Sequence, residues 1–106
     1  MPTVRQGIVD AINELNKVLP AIANEPSFPM LMLQRSRLQR QLIFVLSDTL
    51  TGSNDDLSDA LSALQEVIAT AREAQQDIDQ VQRVMSKITK AIKAVEKVVD
   101  GIKEIV

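Results

Sequence analysis

The sequence predicts an all-α protein in which a helical hairpin of two helices packs, in up-down topology, on the first half of a long, coiled-coil-like C-terminal helix. Three observations carry this prediction. The 106 residues include only three Gly and four Pro, and the only aromatics are Phe28 and Phe44, a composition rich in helix formers and poor in strand formers. From Leu57 to Val106 two apolar rows recur every seven residues: Leu57, Leu64, Ala71, Ile78, Met85, Ile92, Val99 and Val106 in one, and Ala60, Val67, Ala74, Val81, Ile88, Val95 and Ile102 in the other. These are the a and d positions of a heptad repeat. Two shorter amphipathic stretches precede them, each bounded by turn residues. The length suits one helical domain over residues 1–106.

Helix 1 is expected over about residues 3–23, with Thr3 as its N-cap. Val4, Ile8, Ala11, Leu15, Val18 and Ile22 form its apolar stripe, widened by Ile12 and Leu19. Gly7 weakens the first turns, and Pro20 should kink or tighten the last one because its ring meets the carbonyl four residues back. Asn24 to Pro29 then forms a short connector, which favours an antiparallel hairpin.

Helix 2 is expected over about residues 28–50. Its main stripe is Leu31, Leu38, Leu42, Val45, Leu46 and Leu50, with Arg35 as the odd member. The opposite face carries Leu33, Arg37, Arg40 and Phe44, so the helix is apolar on two sides. An aromatic flanked by arginines is the chemistry of interface hot spots, although a Phe packed under arginine stems accounts for the same pattern. Thr51-Gly52-Ser53-Asn54 reads as the second connector, and Asp55 and Asp56 then favour the positive end of the next helix.

Helix 3 is expected over about residues 54–105. Its charge is sorted: residues 52–77 hold six carboxylates against Arg72 alone, whereas residues 78–106 hold six cations against four carboxylates. That order complements the helix dipole. A continuous helix of this length spans about 75 Å, whereas helices 1 and 2 reach only about 30 to 35 Å. Antiparallel counting from Leu50 against Leu57 places the hairpin on the first half and leaves the chain after about Val81 without an internal partner. It also places Arg35 beside Glu73, as a structural ion pair, or beside Glu14 across helix 1.

The resulting functional expectation is a non-enzymatic protein-interaction or self-assembly module. Its interface would be Val84, Met85, Ile88, Ile92, Val95, Val98, Val99, Ile102 and Ile105, and its partner a second copy, dimer to tetramer, or another helical protein. The alternative is a break near residues 75–79, where Asp77 with Gln80 can cap a new helix. That gives a monomeric four-helix bundle acting as a binding module of inhibitor, immunity or adaptor type, with Leu33, Arg37, Arg40 and Phe44 as its interface. A third possibility lays the C-terminal helix on a membrane through Lys87, Lys90, Lys93 and Lys97, without any aromatic anchor.

The absences narrow the chemistry. With no His and no Cys there is no imidazole base, thiolate, disulfide or ordinary zinc site. No Gly-rich phosphate loop is present, and Asp55, Asp56 and Asp59 lack the spacing of a calcium loop. No catalytic residue, metal or cofactor is expected. A net charge of −2 and the dearth of stacking side chains argue against nucleic acid. Arg5, Asp10, Glu14 and Lys17 interrupt the N-terminal apolar pattern, which fits neither a signal peptide nor a membrane span, so a cytoplasmic location is expected.

Overall fold

In the computed structural model of the protein, the described residues form four helices: α1 (Val4–Val18), α2 (Phe28–Phe44), α3 (Asp55–Gln76) and α4 (Val81–Ile105). Short 3₁₀ turns follow α1 (Leu19–Ile22) and precede α4 (Ile78–Gln80). The structure describes residues 3–45 and 55–105, with backbone only at Phe44 and over residues 101–105. The expected end of helix 2 at Leu50, the connector from Thr51 to Asn54, and the side chains of Phe44, Ile102 and Ile105 lie outside the described residues.

Helix 1 forms much as its pattern dictates. The Thr3 hydroxyl accepts a hydrogen bond from the Gln6 amide at 3.1 Å, satisfying one of the free donors of the first turn. Val4, Ile8, Ala11, Leu15, Val18 and Ile22 are fully buried. Pro20 tightens the end into the 3₁₀ turn, since it cannot donate the next helical bond. The turn closes through Glu25 N–H to Ile22 O at 2.9 Å and Phe28 N–H to Glu25 O at 3.1 Å. Pro29 stands in the first turn of α2, where its missing N–H costs nothing.

The C-terminal stretch is two helices, which corrects the expectation of one continuous helix in favour of the four-helix alternative. Asp77 leaves the helical region with φ −146° and ψ 104°. Its carboxylate accepts from the Asp79 amide at 3.1 Å and from the Gln80 side chain at 3.5 Å. No Gly or Pro is needed, because an acidic N-cap satisfies the amides exposed by the break. The driving force is burial. Folded back, α4 covers with its own chain a stripe that a straight helix would leave in water.

The packing differs from the antiparallel counting as well. α1 and α4 each lie beside both α2 and α3, so α2 and α3, consecutive in the chain, are diagonal to one another. A Cβ on Gly7 would stand 3.1 Å from Leu64 Cδ1, and Gln75 meets Glu14, so α1 and α3 run parallel at close approach. Gln34 meets Met85 and Gln41 meets Ile92, so α2 and α4 also run parallel. Lys87 with Glu66 and Arg83 with Glu73 show α3 and α4 antiparallel. The molecule is two helical hairpins laid side by side, 44 Å long.

This arrangement explains the apolar residues that widen the heptad rows, Leu61 and Ile68 on one side in the first half and Val84, Ala91 and Val98 on the other side in the second. Ala60, Val67, Ala74, Val81, Ile88 and Val95 of the second row are all buried. On α4 the widening residues Val84, Ala91 and Val98 are buried too, since α4 fills the angle between α3 and α2, while Leu61 and Ile68 on α3 are only half-buried. Ile78 falls at the break and is 45% exposed.

Candidate protein-binding surface

Among the described side chains, the residues expected to form a self-association stripe belong to the inner wall of the bundle. Val84, Ile88, Ile92, Val95, Val98 and Val99 are buried within the chain, and Met85 is half-buried. They are therefore not an open surface of the folded monomer.

The expected pair of Arg35 with Glu73 does not form. Arg35 Nη1 donates to Asn16 Oδ1 at 2.7 Å, and Glu73 pairs with Arg83 at 3.8 Å. The reason is topological: α3 lies against α1, so Glu73 is on the far side of the bundle from α2. Glu14, the other carboxylate considered for Arg35, is nearly buried and belongs to the α1–α3 contact. Gln75 Nε2 donates to its Oε2 at 2.7 Å, while Lys17 and Arg72 stand 3.3 and 3.6 Å from its Oε1. The Gln75 amide holds this carboxyl below the usual glutamate range, with Lys17 and Arg72 assisting and burial opposing.

Two further polar contacts were not visible as partners in the sequence. Gln34 and Gln41, seven residues apart on α2, donate to the carbonyls of Met85 and Ile92 at 3.1 and 2.9 Å. The same spacing on both helices reflects their parallel run. The signal was present as two glutamines beside the Leu31–Leu38 stripe, but assigning it required knowing that α2 and α4 are neighbours.

The outward face of α2 is the part of the molecule with unspent apolar surface. Met30, Met32, Leu33 and Ile43 project from it, and among the described residues only Ile78 joins them as an exposed large hydrophobic side chain. Ile43 is 65%, Met30 55% and Leu33 49% exposed. Met30, Leu33, Arg37 and Arg40 follow one another at three- and four-residue intervals, a stripe about 15 Å long. Arg37 and Arg40 are exposed, and among the described residues neither has a carboxylate within 4.0 Å. Residues 28–44 contain three arginines and no acidic residue. The sequence marked Leu33, Arg37 and Arg40 here, and it marked Met30 and Met32 within the apolar run from Phe28 to Leu33, which reads as a bundle cap or as a contact for a partner or lipid; Ile43 it missed.

Beside this face runs a groove of about 410 Å³ between α2 and α4. Arg37 and Arg40 form one wall, Glu96 and Asp100 the other, and Gln41, Ile92 and Val99 line it as well. Gln41 is 8% exposed, and its Oε1 has no hydrogen-bond partner. The arginines thus border both the apolar stripe and a polar-walled groove. Such a surface can bury aliphatic side chains and pair carboxylates at once.

Among the described residues no group of His, Cys, Asp and Glu is arranged to hold a metal ion, and no helix is long and apolar enough to cross a membrane. Comparison of the chain with protein-family models, with curated proteins and with solved structures finds no match in any of the three.

Proposed function

We propose that the protein is a non-enzymatic binding module whose α2 face receives an acidic, amphipathic helix of a protein partner. The observation that supports this reading is the composition of that face: exposed Met30, Leu33 and Ile43 beside Arg37 and Arg40, with no carboxylate on the helix to neutralise them. A partner helix with aliphatic residues at three- and four-residue spacing would lie along the stripe. Its Asp or Glu side chains would pair with the arginines at the groove edge.

The test compares native protein with Leu33→Asp and with Arg37→Glu/Arg40→Glu as baits for quantitative affinity capture, followed by titration of the captured partner. All three positions are solvent-facing, so the fold is expected to survive, as circular dichroism will verify. The expected result is a partner bearing an acidic amphipathic helix, whose affinity falls about tenfold or more with each substituted hot-spot residue and weakens with salt. Equal capture by native and substituted baits refutes the assignment of the surface.

A further inference from the structure

The heptad rows pass through the α3–α4 break without losing phase: Ala71, Ile78 and Met85 in one, Ala74, Val81 and Ile88 in the other. A hairpin does not require this. Once Asp77 breaks the helix, α4 takes its own rotation about α3, and any register across the turn serves equally well. Nor does the turn contain the residues that enforce one, since no Gly or Pro occurs from Asp55 to Asp100. The break is one extended residue held by its own carboxylate, followed by a single 3₁₀ turn. Ile78, a member of the first row, is left 45% exposed by it.

We infer that a second copy of this chain is a built-in partner, through exchange of α4. Residues 77–80 become α-helical, α3 and α4 join into one rod of about 76 Å, and each copy's α4 occupies the place of the other's. Every internal contact of α4 is re-formed between chains: Lys87 to Glu66 and Gln34 and Gln41 to the carbonyls of Met85 and Ile92. The residues buried within the monomer, from Val84 to Val99, thereby become the interface of the dimer. Only the hinge changes chemically. It loses the Asp77 cap, gains helical hydrogen bonds, and returns Ile78 to a continuous stripe. Exchange of an identical element is a low-cost route to a dimer, and short hinges favour it. The inference is independent of the α2 surface, which faces outward in either form.

Two substitutions push the equilibrium in opposite directions. Asp77→Ala removes the cap and inserts the best helix former; loss of an N-cap is worth about fivefold per hinge, hence about 25-fold in the dimerisation constant. Ile78→Pro places proline at the first position after the cap, where it suits the broken form, but inside a continuous helix it meets the Ala74 carbonyl. Asp77, already extended, accommodates a following proline. Each protein is unfolded, refolded across micromolar to millimolar concentrations, and sized by light scattering. The chain has no Cys, so singly substituted Glu66→Cys and Lys87→Cys chains can be co-refolded and treated with a short bismaleimide.

The expected result is a dimer enriched in Asp77→Ala, absent in Ile78→Pro, and cross-linked between Glu66→Cys and Lys87→Cys chains. If Asp77→Ala stays monomeric throughout this range, the inference is overturned. It is equally overturned by a dimer that Ile78→Pro leaves intact or that gives no inter-chain cross-link. Should Asp77→Ala fail to fold, the native chain against Ile78→Pro decides by the same criteria.

Discussion

Ile78 and Ile88 both belong to the heptad stripe, yet the fold gives them opposite environments, and truncating each to Ala measures the difference. Ile88 is fully buried on α4, whereas Ile78 sits at the break with 45% of its surface in water. Removing three carbons from a fully buried side chain costs about 2.4 kcal/mol in transfer alone, and the cavity left between close-packed helices raises this to about 3 to 4 kcal/mol. At Ile78 roughly half the transfer is already forfeited and water fills the space, so Ile78→Ala should cost less than about 1 kcal/mol. For a domain of this size the buried truncation lowers the melting temperature by about 15 °C or more. Urea and thermal unfolding at micromolar concentration, followed by far-ultraviolet circular dichroism because the chain has no Trp or Tyr, will read both variants. The urea slope must match that of the native protein for the comparison to hold. Equal losses at the two positions would refute the broken helix, since only an unbroken stripe covered by a partner buries Ile78 as it buries Ile88.

Other consequences follow from the buried polar groups. Because the fold lowers the Glu14 carboxyl below its ordinary range, its contribution to stability is fully present above the free-glutamate value of about pH 4.3 and is lost as pH falls through the lowered one. Glu14→Gln should therefore destabilise the protein at pH 7 and flatten the acid limb of its stability profile; an unchanged limb refutes the role. Gln41 gives one hydrogen bond to Ile92 O but leaves its own Oε1 buried without a partner. Gln41→Leu exchanges that unsatisfied oxygen for apolar volume, so denaturation should show a change within about 1 kcal/mol of zero, either neutral or stabilising; a loss of several kcal/mol would show that the Ile92 carbonyl depends on it.

How the sequence led to these sites differs from helix to helix. α1 was legible from Thr3 to Ile22 because its cap, its stripe and its proline all act locally, within a turn or two of chain. The division of the C-terminal stretch was legible only as the alternative, with Asp77 and Gln80 marking its place, because Asp77 breaks a helix without Gly or Pro and the gain that favours the break comes from covering α4 at a distance. Sequential packing also misled: placing α3 against α2 assigned Glu73 to Arg35, whereas α3 lies on α1 and gives Arg72 and Gln75 to Glu14. On the candidate surface, Leu33, Arg37 and Arg40 stood out by helical spacing. Met30 and Met32 stood out only as part of the apolar run from Phe28 to Leu33, and Ile43 did not, since an isolated apolar residue on a helix carries no sign of its exposure until its neighbours are known.

The side-by-side hairpins also sort the backbone dipoles of the four helices. In a bundle whose neighbours all alternate in direction, each amino-terminal end is flanked by carboxyl-terminal ends and their partial charges offset one another. Here α1 and α3 both start toward one end of the molecule, and α2 and α4 both run out toward that same end. That end is divided into a half with free amides and a half with free carbonyls, and Asp55 and Asp56 stand in the first turn of α3, on the amide side. The opposite end carries the reverse division, with Asp77 and Asp79 at the start of the α4 segment. Since these fields arise from peptide groups, they do not titrate, and they give both ends of the bundle a fixed lateral polarity that an approaching charged helix meets in one orientation only.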